Sequence, residues 1–206
     1  MSLLLRVELP DVPGSLGRLA TAIGSAGGDI EALEIVEKRH DGTAVDDVLL
    51  ETPPGVMPDS IVSACNALDG VRVLWISRYA AGGNVFLDLE AVEDLTAHPM
   101  TAPDRLVDLL PAVFRSDWGA RVSRDAGVLH STGGAPEHVP WTELDRAVRL
   151  EVEDENSLLV AARLDDDEVL VIGRRGGPEF LDSELARLGH LASLAMSISR
   201  TAAATS

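Results

Sequence analysis

The fold of the first half is decided by the stretch Asp11-Val12-Pro13-Gly14-Ser15-Leu16, where two hydrophobic periods meet. From Leu3 to Leu9 every second residue is apolar, which predicts a half-buried β-strand. From Leu16 to Ile23 the apolar residues recur at i, i+3, i+4 and i+7, which predicts a helix with one apolar face. Because the Pro-Gly pair interrupts both periods, the stretch is predicted to turn the chain from a strand into a helix.

The rest of the first half again alternates between strand and helix patterns. Strands are predicted at Ile30–Lys38 and Thr43–Glu51, on either side of a turn at Gly42. A helix with Cys65 on its apolar face follows, and a last strand is predicted around Val73. The resulting order, βαββαβ, is that of the ferredoxin-like plan, in which two helices cover one face of an antiparallel sheet.

The turn resembles the signature of the ACT domain family, small βαββαβ regulatory domains with a D-x-P-G-x-L turn after the first strand. Gly28-Asp29-Ile30 is similar to the family's G-x-[ND]-I start of the second strand, and the resemblance spans about Leu4–Tyr79. It implies domains that pair and bind an amino acid at their interface. The implied ligand-binding residues are Asp11, Pro13, Gly14, Ser15 and Leu16 on one side of the interface, with Asp29 and Ile30 on the other.

The chemistry of the turn residues favours the same site. Gly14 permits close approach of a ligand to the backbone, and the N–H groups of Ser15 and Leu16 open a helix whose dipole favours a carboxylate. Asp11 stands at the lip of the turn, where it would hold an α-ammonium by a charge-assisted hydrogen bond. In the alternative interpretation Asp11 only caps the helix, and the domain pairs or packs without a ligand.

The second half is predicted to be an α+β domain with helices around a central antiparallel sheet. One helix ends before Pro99, and the chain closes with a long helix that carries a broad apolar stripe. The other predicted elements are a helix at Thr101–Arg115, strands at Trp118–Ser123, Gly127–Ser131, Ser157–Arg163 and Glu168–Gly173, a loop or short helix at Pro136–Arg149, and the closing helix at Asp182–Ser199.

This half resembles GAF-type domains over about Asp104–Arg200, through the strand that ends at Arg174, the segment Gly176–Phe180 and the helix after it. The resemblance implies a small-molecule pocket on one face of the sheet, with Trp118 and Trp141 as candidate lining residues, and dimerisation through the terminal helices. No cysteine lies in this half, so covalent chromophore attachment is excluded. The alternatives are tryptophans in an ordinary core and a ligand-free domain for dimerisation or partner docking.

The predicted organisation is therefore an ACT-like regulatory domain at 1–79, a linker at 80–84, a GAF-like domain at 85–200 and a frayed tail at 201–206. The linker is placed at Ala80-Ala81-Gly82-Gly83, where the regular patterns on both sides stop.

Composition narrows the functional classes. With 17 Lys and Arg against 34 Asp and Glu, the net charge of the 206-residue chain is −17, which argues against binding to nucleic acid or to anionic membranes. The lone cysteine, Cys65, excludes an internal disulfide and a multi-thiolate zinc site, and the five histidines lack metal-binding spacing. The sequence contains no run of about 18 apolar residues, so no membrane span is predicted. We expect a cytoplasmic protein without a metal or cofactor.

These observations predict a non-enzymatic regulatory protein that senses an amino acid or a similar small molecule through a paired ACT-like domain. The GAF-like domain would supply a second ligand site, dimerisation or docking of a protein partner. The expected assembly is a homodimer or a higher homo-oligomer. Two alternatives stay open: a ligand-free interaction scaffold, and an enzyme whose site is assembled between the two halves.

Overall fold

A computed structural model describes residues 1–78, 84–152, 154 and 156–205, without the side chains of 84–86 and 205. The chain divides into two compact units, Met1–Ala81 and Gly82–Ser206, called here the N-terminal and C-terminal units. Residues 80–83 of the predicted linker, and Tyr79 before them, lie outside the described residues. The last predicted linker residue, Asn84, is the first residue of a helix.

The N-terminal unit contains one four-stranded sheet and two helices. Its elements are β1 (Ser2–Pro10), α1 (Ser15–Ser25), β2 (Asp29–Lys38), β3 (Thr43–Glu51), α2 (Pro58–Asn66) and β4 (Arg72–Arg78). The strand order is β2-β3-β1-β4, with every neighbouring pair antiparallel. The βαββαβ order predicted from the hydrophobic periods is confirmed.

The core of this unit lies between the sheet and the two helices. Alternate residues of β1 pack against α1 and α2, and burial raises the pKa of the Cys65 thiol on α2 to about 11. The buried members are Leu3, Leu5, Val7, Leu9, Leu19, Ile23, Val48, Leu50, Ile61, Cys65 and Val71.

The prediction of a half-buried first strand is wrong, because β1 is buried on both faces. Leu4 and Arg6, which alternate with the core residues, are only 1% and 2% exposed. Arg6 is tolerated there because its Nε and Nη2 donate to the two carboxylate oxygens of Asp47, at 2.7 and 2.9 Å. A polar residue in the alternating pattern therefore marks a buried ion pair and not a solvent-facing side.

The C-terminal unit is built on a five-stranded antiparallel sheet of order β6-β5-β9-β8-β7. Its elements are α3 (Asn84–Ala97), a 3₁₀ turn (Pro99–Thr101), α4 (Ala102–Phe114), β5 (Trp118–Ser123), β6 (Gly127–Ser131), β7 (Val148–Leu150), β8 (Ser157–Arg163), β9 (Glu168–Arg175) and α5 (Asp182–Thr205). One apolar cluster joins the three helices to the sheet, and a second, around Trp118, includes Val139 from the segment that follows β6.

Two sequence expectations for this unit need correction. The segment predicted as a loop or short helix contains no helix and ends in the edge strand β7, which the sequence did not reveal. The predicted frayed tail is wrong as far as Thr205, because α5 continues to that residue. Alanines at 202–204 have the highest helix propensity, and Thr201 Oγ1 donates back to the Ser197 carbonyl at 2.8 Å. Residue 206 lies outside the described chain.

Candidate functional site

The turn between β1 and α1 has the geometry of an open helix N-terminus. Gly14, at the N-cap position, has φ +92°, a left-handed conformation that favours glycine. A Cβ added at Gly14 would meet no atom within 4 Å, so the space above the turn is open. The N-terminus of α1 has no side-chain cap, and its first turn carries no acidic residue. The alternative in which Asp11 caps the helix is therefore wrong.

The available backbone donors lie one residue further along than the sequence suggested. The N–H of Ser15 donates to the Val12 carbonyl at 3.1 Å, and the N–H of Arg18 donates to the Gly14 carbonyl at 3.1 Å. Between them, the N–H groups of Leu16 and Gly17 donate to no acceptor within the described ranges. Two adjacent N–H groups at a helix N-terminus form a ready site for an anionic oxygen.

The Asp11 carboxylate binds a lysine. Lys38 Nζ, at the end of β2, lies 2.9 and 3.2 Å from the two Asp11 oxygens, and the Asp11 N–H donates to the Gly42 carbonyl. The Lys38 side chain is 62% exposed and that of Asp11 39%, so this is a surface ion pair. Such pairs contribute little to stability, about 0–1 kcal/mol, so a ligand ammonium can take the place of Lys38 at low cost.

A second carboxylate, Asp46 on β3, lies near this turn and was missed in the sequence. It pairs with Val7 across the sheet, on the side that carries the helices, and is 1% exposed. Its carboxylate makes no hydrogen bond with any described residue. Burial, followed by the negative charges of Asp11 and Asp47, raises the pKa of Asp46 to about 6, while Lys38 acts to lower it. The adjacent pair Asp46-Asp47 inside an apolar strand is the signal that could have identified it.

The other two predicted binding residues lie at the opposite end of the same sheet. Asp29 pairs with Glu51 and Ile30 with Leu50, whereas Lys38 pairs with Ala44. The Asp11 turn lies at the Thr43 end of β3 and Asp29 at the Glu51 end. These ends are eight residue steps apart, which corresponds to about 26 Å at roughly 3.3 Å per residue. One copy of the chain does not bring Asp29 and Ile30 to the Asp11 turn, so a site that uses both groups needs two copies.

Apolar side chains border the turn. Val12 is 55% exposed, Leu16 is 37% exposed, and Ile35 on the edge strand β2 is 42% exposed. A separate shallow groove of about 590 Å³ lies along α1; it is lined by Gly14, Gly17, Arg18, Thr21, Ala22 and Leu68. Exposed apolar groups around a polar centre are suited to contact with a ligand side chain or with another protein surface.

The two candidate tryptophans of the C-terminal unit line different cavities. Trp118 packs so closely on Gly173 that an added Cβ there would lie 2.2 Å from its indole ring. It borders a cavity of about 760 Å³, together with Asp117 and Arg175. Trp141 borders a separate cavity of about 150 Å³ and stacks on the Arg124 guanidinium, with 4.2 Å to the ring centroid. The structure does not bring the two rings into one pocket.

No family model matches the chain. NAD-dependent malic enzyme 1 of Bacillus subtilis is 36% identical over 74 residues, which are 35% of this chain and 17% of that enzyme. This chain therefore matches only about a sixth of the length of that curated relative.

Solved structures show weak likenesses. The GAF domain of an Acinetobacter phosphoenolpyruvate-protein phosphotransferase is 14% identical, with a TM-score of 0.42, over 58% of this chain and 96% of that domain. A formyltetrahydrofolate deformylase from Pseudomonas putida KT2440 is 11% identical, with a TM-score of 0.31, over 41% of this chain and 30% of that one. Neither likeness carries an argument about function. None of the described helices is long and apolar enough to cross a membrane.

Proposed function

We propose that the N-terminal unit is an ACT-like regulatory domain that binds an amino acid, or a similar small zwitterion, between two copies of the chain. The observation that supports this most directly is that the turn presents two unused N–H groups, at Leu16 and Gly17, together with the carboxylate of Asp11. A zwitterion presents one anionic and one cationic group a short distance apart, which matches this pair of partners.

Each part of the ligand has a defined place in this proposal. Its carboxylate accepts hydrogen bonds from the N–H groups of Leu16 and Gly17, where the helix dipole adds to the attraction. Its ammonium replaces Lys38 at Asp11 by a charge-assisted hydrogen bond. Asp29 and Ile30 of a second copy close the site, because within one copy they lie at the other end of the sheet.

The regulatory effect is a shift between unpaired and paired copies. A ligand shifts such an equilibrium only as far as its affinities for the two states differ. A site completed by a second copy meets that requirement, because the contacts with Asp29 and Ile30 exist only in the pair. The C-terminal unit, which we propose to be GAF-like, passes the change to a protein partner or stabilises the pair, and the protein as a whole is non-enzymatic.

A ligand-free scaffold is the second candidate function. Its supporting observation is that Lys38 already satisfies Asp11, while Val12, Leu16 and Ile35 present an apolar border for a second surface. In that case two copies pair through this border whether or not an amino acid is present.

A thermal-shift screen against the twenty amino acids separates the two functions. A ligand at about 100 times its Kd stabilises the folded state by roughly 2.7 kcal/mol, which gives a measurable rise in Tm. We expect a rise with one amino acid or one side-chain class in the native chain, and none with Asp11→Ala. Asp69→Asn, an exposed carboxylate change in the same unit, is the control and should keep the rise. No rise with any amino acid would refute ligand binding and leave the scaffold.

A further inference from the structure

The C-terminal unit has an open groove next to the Trp141 cavity, with which it shares Asp145, Arg163, Asp165 and Asp166. It lies between α5 and the segment around the edge strand β7, and its volume is about 950 Å³. Its apolar lining is formed by small or medium side chains: Ala147, Val148, Leu164, Leu185, Ala186 and Gly189. A Cβ added at Gly189 would lie 3.9 Å from the Ala147 Cβ, so the two walls approach closely there.

Charged groups of both signs line this groove. Four of the seventeen Lys and Arg residues of the chain lie there with His190, and so do four aspartates, Asp145, Asp165, Asp166 and Asp182. Two of the four are already engaged: Arg149 donates to Asp182 at 2.8 Å, and Arg163 pairs with Asp166. Both are surface ion pairs, in which the charge of the arginine is balanced by a neighbouring carboxylate of the groove.

The other two arginines are unpaired. The side chains of Arg146 on one wall and Arg200 on α5 make no hydrogen bond, ion pair or ring contact with any described residue. Two further carboxylates line the groove: Asp165, which accepts the N–H groups of Asp167 and Glu168, and Asp145, the neighbour of Arg146 in the sequence. Both arginines are exposed, so their guanidinium groups are available to a ligand that enters the groove.

We propose that this groove binds a small molecule with two anionic groups, one held by Arg146 and the other by Arg200. A guanidinium matches carboxylate and phosphate oxygens in geometry and charge, and both groups are included in this class. The volume lies within the range of small-molecule sites. His190 and Ser193, on the α5 wall between Leu185 and Arg200, supply further polar contacts, and the small residues leave room for the body of the ligand.

Isothermal titration calorimetry of the full chain at pH 7 tests this site with defined probes. Pyrophosphate and succinate carry two anionic groups, and phosphate and acetate are their one-group counterparts. We expect one of the two-group probes to bind more tightly than its counterpart. Binding of pyrophosphate alone identifies a phosphate ligand, and binding of succinate alone identifies a dicarboxylate.

Matched variants test the assignment to these residues. Arg146→Gln and Arg200→Gln should each weaken binding about tenfold or more, as expected for loss of one charge-assisted contact, and the double variant should not bind. Arg72→Gln, an exposed arginine of the N-terminal unit, should leave binding unchanged. Gly189→Leu should block the groove while circular dichroism and Tm show an intact fold.

Three results would overturn the proposal. They are no binding of any probe at millimolar concentration, equal affinity for the one-group and two-group probes, and unchanged binding in the Arg146→Gln/Arg200→Gln double variant. None of these results depends on the N-terminal unit, so they leave the amino-acid site untouched.

Discussion

Replacement of Asp46 by Asn should stabilise the protein, and the gain should grow with pH. Asp46 is a buried carboxylate with no hydrogen-bond partner among the described residues, and its charged form is disfavoured by burial and by the charges of Asp11 and Asp47. Asn has nearly the same shape and no charge. The substitution therefore removes the electrostatic cost and keeps the packing.

The magnitude follows from the pKa. Folding raises the pKa of Asp46 from 3.8 to about 6. Between pH 3.8 and about 6, the Asp46 carboxyl is therefore protonated in the folded state and ionised in the unfolded state. The wild-type protein accordingly loses stability as pH rises through this window, by about 1.4 kcal/mol per pH unit for one group. The difference in free energy of unfolding between Asp46→Asn and wild type should be smallest at pH 3.5. Above pH 7 it should be larger by roughly 3 kcal/mol in favour of the variant.

Urea unfolding of both proteins between pH 3.5 and 8 measures this difference. Asp41→Asn is a control of opposite sign, because hydrogen bonds from Thr43 lower the pKa of Asp41. That variant should be less stable than wild type at pH 7, and the gap should close as pH falls through the depressed pKa. A difference between wild type and Asp46→Asn that does not change with pH, or a lower stability of the variant at pH 8, would contradict a raised pKa at Asp46.

Three further substitutions test other parts of the fold. Glu184→Gln leaves the buried Arg174 guanidinium without its 2.9 Å carboxylate partner and should cost about 3 kcal/mol in urea unfolding; a loss near zero would contradict a buried pair. Gly14→Ala places a Cβ in open space but at φ +92°, so calorimetry should show a loss of about 1–2 kcal/mol, and an unchanged stability would argue against the left-handed turn. Gly173→Ala forces the Trp118 indole to move, which should lower stability by about 1–3 kcal/mol and shift the tryptophan fluorescence; an unaltered spectrum would contradict the contact.

The elements of the N-terminal unit were predictable because each one carries a clear local signal. The period-two pattern up to Leu9, the period-3.6 pattern from Leu16 and the Pro-Gly break between them are properties of neighbouring residues. The burial of Arg6 was not predictable in this way, since its partner Asp47 is 41 positions away. The edge strand β7 was missed for a similar reason: its three residues are too few to show a period, and their pairing with β8 is tertiary.

The candidate site was predicted in part. The turn itself could be located from Pro13 and Gly14, whose backbone requirements are local. The partner of Asp11 could not, because Lys38 reaches it only through the pairing of β2 with β3. The unpaired state of Arg146 and Arg200 was equally hidden, since it depends on which carboxylates the fold brings near them.

Native mass spectrometry of the full chain with a mixture of the twenty amino acids shows directly whether an amino acid binds between two copies. We expect an amino-acid adduct on the dimer and absent from the monomer, a higher dimer fraction with the ligand, and loss of the adduct in Asp11→Ala. An adduct that persists in Asp11→Ala, one carried equally by monomers, or no adduct at any ligand concentration would contradict it.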